Sequence, residues 1–175
     1  MRIAKFPLDF VDECFKSALP KTIIDDSPGS SLLGLTTTVG AVLLGNAASG
    51  NTKADVCGWR LKVADNYEPG RDIVMVARCK IATTLSTVSN KVSMTATLLA
   101  QGGGVGSNLI RSGTTGQQVT IAYANYKFVI NGSTLQRGDV LYGTLTLTSI
   151  DTGGAVNTAM SCSNLWAEVP VKSSS

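Results

Sequence analysis

Apolar and polar residues alternate along most of the chain after residue 32, with the period of two that a half-buried β-strand requires. Between residues 92 and 100, Val92, Met94 and Ala96 alternate with serine and threonine. In the strand that begins at residue 73, all residues on one face are apolar. On the other face, valines come first and Arg78 and Lys80 follow. This second strand is therefore predicted to begin buried on both sides and to end half exposed.

Eight segments with strand patterns are separated by turns rich in Gly, Asn, Asp and Pro. They are 32–45, 56–63, 73–81, 92–100, 117–122, 126–130, 140–150 and 158–171. No helical period persists beyond a turn or two. The chain is therefore predicted to be all-β, an antiparallel β-sandwich of the jelly-roll type with about eight strands. The sandwich is placed at residues 32–172, followed by a tail at 173–175.

The last segment has two apolar faces. Period-two alternation puts Met160, Cys162 and Trp166 on one face, and it puts Leu165 and Ala167 on the other. Both tryptophans sit among alternating apolar residues, so both are predicted to lie in the core. The predicted core comprises Trp59, Trp166, Ile73, Met75, Met94, Leu98, Leu145 and Leu147.

Residues 1–31 differ from the rest because they hold three of the five prolines and mix apolar residues with aspartates. The proline spacing forbids a long helix. We interpret the segment as an extended N-terminal arm over a neighbouring surface, or alternatively as an ordered first strand followed by a frayed terminus. The candidate partner-binding residues of the arm are Phe6, Leu8, Phe10, Val11, Phe15, Leu19, Ile23 and Ile24.

Composition narrows the class of partner. Charged residues make up only 15% of the chain and the formal net charge is +3, with Lys and Arg scattered along the sequence. No nucleic-acid partner is expected from this distribution. No segment approaches the roughly 20 apolar residues of a membrane helix, and the first residues do not resemble a signal peptide. A low-charge surface suits protein–protein contact.

No catalytic or metal-binding constellation is evident, so no enzymatic activity and no cofactor or metal is predicted. The chain has no histidine, which excludes Ser-His and Cys-His catalysis. The glycine run at 102–106 lacks the following Lys-Ser or Lys-Thr of a phosphate loop. Most carboxylates lie in predicted turns, where they bond their own backbone. The cysteines, which are predicted to be buried free thiols with a disulfide left open, are Cys14, Cys57, Cys79 and Cys162.

Carbohydrate binding needs exposed aromatic rings, and the chain has four Phe, four Tyr and two Trp. With both tryptophans assigned to the core, the available platforms are Tyr67, Tyr123 and Tyr126, near predicted turns. The alternative for each is a tyrosine at a strand end with a hydrated hydroxyl. The glycosylation-type triplet at 131–133 is interpreted as a turn.

Two segments resemble the jelly-roll proteins that decorate or cement the heads of tailed bacteriophages. The first is the Lys5-Phe6-Pro7 start that leads into an extended arm. The second runs from 128 to 141, where a strand leads through Gly138-Asp139 into a Thr/Leu strand. Trp59-Arg60-Leu61 with Asn66-Tyr67 also fits the pattern. The resemblance implies a virion structural protein, assembled in the bacterial cytoplasm and located on the capsid surface.

The function expected from this resemblance is non-enzymatic decoration or cementing of a capsid. The expected partners are the major capsid protein and further copies of the chain, with a trimer favoured because icosahedral lattices offer three-fold sites. The alternative is a carbohydrate-binding or receptor-binding head domain of a viral fibre. A glycan-active enzyme is a third possibility.

Overall fold

The computed structural model describes residues 1–8, 14–16, 19–21, 34–35, 42–47, 52–81, 90–98, 106–111, 116–150 and 158–172. These residues form twelve β-strands in which every pairing is antiparallel. The strands are β1 (Arg2–Leu8), β2 (Cys14–Lys16), β3 (Leu19–Lys21), β4 (Gly34–Leu35), β5 (Val42–Ala47), β6 (Thr52–Lys62), β7 (Ile73–Ile81), β8 (Lys91–Leu98), β9 (Gln117–Gln118), β10 (Ala124–Ile130), β11 (Val140–Ile150) and β12 (Thr158–Val171).

The strands divide into two sheets. Sheet A has the order β10-β7-β12-β5-β4, with β1 also paired to β12, and sheet B has the order β3-β2-β6-β11-β8-β9. From β5 to β12 the chain supplies four strands to each sheet, in the orders β5-β12-β7-β10 and β6-β11-β8-β9. This wrapping of successive strands between two sheets is the jelly-roll topology. The predicted all-β antiparallel sandwich is confirmed.

The first strand lies along the edge of β12 opposite to β7. There β1 pairs with the second half of β12, from Leu8↔Leu165 to Arg2↔Val171, and β5 pairs with the first half. The beginning of the predicted arm, Arg2–Leu8, is thus an ordered strand of the chain's own sheet. Most of residues 9–31 lie outside the described residues, so the arm's boundary stays a prediction.

The core lies between the two sheets. Six of the eight residues predicted for the core are buried: Trp59, Ile73, Met75, Met94, Leu145 and Leu147. Leu98 is partly buried and packs against the same cluster. The inward faces of β7 and β11 follow the predicted alternation. The register is unbroken between β7 and β10, and between β11 and its two neighbours, β6 and β8. Trp166 departs from the prediction.

One end of the sandwich is closed by the turns after β6 and β10. Gly138 N donates to Val63 O at 3.0 Å, and Arg137 Nε donates to Tyr67 O at 2.9 Å. Gly70 and Gly138 adopt φ values of +80° and +79°, a left-handed conformation that favours glycine. A turn is thus present at Gly138-Asp139, as the sequence predicts, and another is present at Pro69-Gly70. Among the described residues, no helix is long and apolar enough to span a membrane.

Candidate functional site

Trp166 lies on the outer face of sheet A because β12 contains a β-bulge. Cys162 pairs with Cys79 and Asn164 pairs with Arg78, so Ser163 is an extra residue with no partner in β7. Beyond the bulge, the residues that point inward are Leu165, Ala167 and Val169. The prediction that Trp166 shares the core face of Met160 and Cys162 is wrong, because simple alternation does not count the extra residue.

The indole of Trp166 is partly exposed and is held by charged neighbours. Trp166 Nε1 donates a hydrogen bond of 3.3 Å to Glu168 Oε1. Lys5 Nζ lies 3.8 Å from that same carboxylate oxygen and 5.9 Å from the ring centroid of Trp166. The register places Trp166 between Pro7 on β1 and Val76 on β7. These contacts orient the ring on the sheet while part of it stays accessible.

Tyr123 supplies a second aromatic ring on the same side of sheet A. Its hydroxyl shares a hydrogen bond of 3.3 Å with Ser161 Oγ. Lys80 Nζ lies 4.7 Å from the ring centroid, and Arg78 Cζ lies 5.5 Å from it. Both distances are within the range of cation–π attraction, which is about 0.5–1 kcal/mol at exposed sites. Tyr123 is the one predicted tyrosine platform that stays partly exposed.

Polar side chains lie between the two rings. Ser161 is opposite Lys80 and Trp166 is opposite Val76, a separation of four strand residues or about 13 Å. Arg78 lies between these positions, with exposed asparagines opposite it on β10 and β12. We call this surface the aromatic face, and it consists of Lys5, Arg78, Lys80, Tyr123, Asn125, Lys127, Asn164, Trp166 and Glu168.

The aromatic face is positively charged, with four cationic side chains and one carboxylate, that of Glu168. The cations come from three strands, β1, β7 and β10, which is why they look scattered in the sequence. The signal that could have found them is the period-two placement of Arg78 and Lys80 on the outer side of β7. What the sequence could not supply was which strands lie beside β7.

The two remaining tyrosine candidates are buried. The Tyr67 hydroxyl donates to the Arg71 carbonyl, and Gly132 packs directly against both groups. The Tyr126 hydroxyl accepts a hydrogen bond of 2.9 Å from Thr120 N. Neither ring can serve as a sugar platform, because each is committed to the core with its hydroxyl satisfied by backbone.

Of the turn carboxylates, Asp139 bonds the backbone of its own turn, as the sequence predicted, whereas Asp72 bonds residues far along the chain. Asp72 accepts hydrogen bonds from Gly132 N and Arg111, at 3.0 and 3.1 Å. Asp139 accepts from Gln136 N at 2.7 Å. In the part of the chain that the structure describes, no three His, Cys, Asp or Glu residues are grouped so as to hold a metal ion.

The predicted partner-binding residues are placed only in part. Phe6 and Leu8 on β1 point inward and pack against the core of the same chain. Phe15 and Leu19 lie in β2 and β3. Phe10, Val11, Ile23 and Ile24 lie outside the described residues. Their role in binding a partner stays a prediction.

A cleft of about 700 Å³ lies at the beginning of β1, beside the end of β12. Its lining includes three cationic side chains and no carboxylate: Arg2, Ile3, Ala4, Lys5, Asn66, Val171 and Lys172. Among the described residues, β1 pairs only with β12, and Ile3 on its outer side is 48% exposed. This edge and cleft form a second surface that is open to a partner.

Comparison with known proteins gives similarity at the level of architecture. No family model matches the chain, and no curated protein matches it. Among solved structures, the xylan-binding domain CBM22-1 of Xyn10C from Paenibacillus barcinonensis is 12% identical, with a TM-score of 0.35 over 75% of this chain and 88% of that one. The enzymatically active domain of tailspike protein 4 from bacteriophage CBA120 is 10% identical, with a TM-score of 0.42 over 96% of this chain and 19% of that one. Neither is a capsid decoration protein, and similarity at this level carries no information on what this chain binds.

Proposed function

We propose that the chain is a non-enzymatic recognition domain that binds an extended, negatively charged polysaccharide on the aromatic face. The observation that carries the proposal is the outward position of Trp166. If Trp166 lay in the core, Tyr123 would be the only partly exposed ring among the predicted platforms, because the other two tyrosines are buried. With Trp166 and Tyr123 on one side of sheet A, two rings are available to one ligand.

The chemistry of a sugar chain fits this surface. A pyranose ring presents C–H groups on one face, which pack on an aromatic ring, and hydroxyls at its rim, which need hydrogen-bond partners. Arg78, Asn125 and Asn164 lie between the two rings and supply donors and acceptors. The spacing of about 13 Å between the ring positions is longer than one monosaccharide, which favours a chain over a single sugar.

The charge of the face favours an acidic polysaccharide. Four cations surround the two rings, and the single carboxylate, Glu168, is already engaged with Lys5 and the Trp166 indole. A ligand carboxylate or phosphate would meet the positive charge of Arg78, Lys80 and Lys127, for which the described residues supply no carboxylate partner. Binding is expected to weaken at about 1 M salt, where the Debye length is about 3 Å.

A glycan array with charged and neutral polysaccharides tests the proposal, using the intact chain and two variants. Trp166→Ala is expected to reduce binding about tenfold or more, the size of a typical central contact. Tyr142→Ala is the matched control, because Tyr142 is a partly exposed ring on sheet B with Arg60 Cζ 5.4 Å from its centroid. Equal losses in the two variants, or no glycan binding by the intact chain, contradict the proposal.

The second candidate function is decoration of a bacteriophage capsid, favoured by the open edge of β1. A partner strand or loop with acidic side chains would complement the cations of the adjoining cleft. An added strand would bond the backbone groups on the side of β1 that no described strand covers. The partner in this reading is the major capsid protein, with the chain on the virion surface after assembly in the bacterial cytoplasm. Self-association into a trimer belongs to the same proposal.

A pelleting assay with undecorated particles tests this second function. Ile3→Glu places a carboxylate on the exposed side of β1 and is expected to reduce co-sedimentation. Ile121→Glu is the control, because Ile121 is 61% exposed and lies outside this edge and cleft. If the Ile3 variant pellets as well as the intact chain and the Ile121 variant, β1 is not the attachment edge.

A further inference from the structure

The fold brings all four cysteines into two directly opposed pairs. Cys79 on β7 is opposite Cys162 on β12 in sheet A. Cys14 on β2 is opposite Cys57 on β6 in sheet B. The chain contains no other cysteine. Each cysteine thus has one other cysteine as its direct neighbour across the sheet. The spacing of the cysteines along the sequence does not reveal these pairs.

Directly opposed residues on antiparallel strands meet the distance requirement of a disulfide. Their Cα atoms lie about 4.5 or 5.5 Å apart, depending on the hydrogen-bonding type of the pair, and disulfides span about 4.4–6.8 Å between Cα atoms. Opposed side chains also project to the same face of the sheet. By the backbone register, each pair thus has the spacing that a disulfide requires.

The pair in sheet A is described to the level of its thiols. Cys79 and Cys162 are both fully buried in the core, and both are free thiols in this structure. The Cys162 thiol donates to the Asn164 carbonyl at 3.5 Å. A hydrogen bond between the two thiols and burial both raise the pKa of Cys79. The thiols thus face each other, and Cys79 is protonated at neutral pH, where it is a poor nucleophile.

We propose that the four thiols are oxidised to two cross-strand disulfides, Cys79–Cys162 in sheet A and Cys14–Cys57 in sheet B. A small disulfide such as oxidised glutathione is the oxidant. One cysteine thiolate attacks it to form a mixed disulfide and release one glutathione thiol, and the opposed cysteine then displaces the second glutathione. Each bond formed converts two protein thiols into one S–S bond and one oxidant molecule into two thiols, so protons and electrons balance.

The burial of the sheet A pair fixes when its bond forms. A protonated thiol inside the closed sandwich is out of reach of the oxidant, so oxidation takes place during folding, before the sheets pack together. Once formed, the Cys79–Cys162 bond joins β7 to the last strand of the chain and is shielded from external thiols. The proposal therefore requires that the chain fold in oxidising surroundings, which the bacterial cytosol does not provide.

The test is to refold the full chain in a glutathione redox buffer and, separately, in excess reductant. Thiols are then alkylated with N-ethylmaleimide under denaturing conditions, counted by intact mass and mapped by proteolysis. The oxidised sample is expected to carry no alkylated cysteine and to yield two linked peptide pairs, one joining Cys79 to Cys162 and one joining Cys14 to Cys57. Four alkylated thiols after oxidative refolding, a missing bond or a crossed pair overturns the proposal.

A double variant gives an independent measurement. In the intact chain, the sheet A disulfide is expected to raise the urea midpoint of the oxidised form above that of the reduced form. The variant Cys79→Ala/Cys162→Ala is expected to lose this rise and to keep the Cys14–Cys57 bond. If the urea midpoints of the oxidised and reduced variant differ less than those of the intact chain, or do not differ, the assignment is supported. An undiminished difference contradicts it. If the variant does not fold, the peptide map of the intact chain alone decides.

Discussion

The two tryptophans show how the face on which a residue lies decides what it contributes. Trp59 is 2% exposed and is opposite Gly143 on β11. A Cβ atom at Gly143 would lie 2.1 Å from Trp59 Cζ2, so the indole occupies space that only glycine leaves free. Trp166 lies on the other side of its own sheet, where part of its ring meets solvent. One ring is therefore part of the core, and the other is available for binding.

Replacing each tryptophan by alanine is expected to have different effects on stability. Trp59→Ala should lower the free energy of unfolding by about 3–5 kcal/mol, because it leaves a large cavity. Trp166→Ala should cost about 1 kcal/mol. Urea unfolding followed by circular dichroism measures both. Equal costs would mean that Trp166 is as much a core residue as Trp59.

Two buried acids predict how the stability of the reduced chain varies with pH. Burial raises the pKa of Tyr67 above its ordinary value of 10.0, and the hydrogen bond to Cys162 together with burial raises the pKa of Cys79 above 9.0. The folded chain therefore keeps both protons where the unfolded chain loses them. Their contribution to stability is complete below about pH 9 and falls as the pH rises further.

Urea unfolding at about pH 8 and about pH 10.5 tests this dependence. The free energy of unfolding of the reduced chain should be lower at the higher pH. Tyr67→Phe removes one titrating group and the hydrogen bond to Arg71, so it should lose about 1 kcal/mol at pH 8 and show a shallower decline. A free energy that is constant or rises between the two pH values would contradict the pKa directions.

At the scale of elements, the sequence predicts what depends on local alternation and misses what depends on register. The ranges of β7 and β11 follow from the sequence because each keeps apolar residues at alternate positions. In β12 the apolar positions change phase between Cys162 and Leu165, which the sequence shows only as two apolar faces. Pairing with β7 is what identifies Ser163 as the extra residue. The cysteine pairs and the cationic surface were missed for the same reason, because both require knowledge of which strands are neighbours.

Deleting the bulge residue tests the account of β12. Removing Ser163 would restore plain alternation while keeping Leu165 inward and Trp166 outward, at the cost of one hydrogen bond to the Arg78 carbonyl. The expected loss of stability is about 1 kcal/mol. Removing Ala167 instead would turn Val169 and Val171 outward, and it should prevent folding or cost several kcal/mol. If the two deletions are equally damaging, Ser163 is not a surplus residue.

At the scale of the whole molecule, the sandwich gives the two sheets different outer surfaces. Around β11 the outer side of sheet B carries mainly threonines, with Thr95 and Thr144 joined by a hydrogen bond of 2.7 Å. Sheet A instead carries the aromatic face, where cations outnumber carboxylates. A chain whose formal net charge is only +3 thus places four cationic side chains around these two rings. The account therefore assigns recognition to sheet A.

The most direct test of this assignment is an NMR titration of the isotope-labelled chain with an acidic oligosaccharide, following the indole N–H signals of its two tryptophans. The signal of Trp166 should shift progressively with ligand, together with the amides of Arg78 and Asn125. The signal of Trp59, buried between the sheets, should stay nearly fixed and serves as the internal control. A Trp166 signal that does not move while ligand shifts residues around Tyr142 on sheet B, or shifts none at all, would contradict the account.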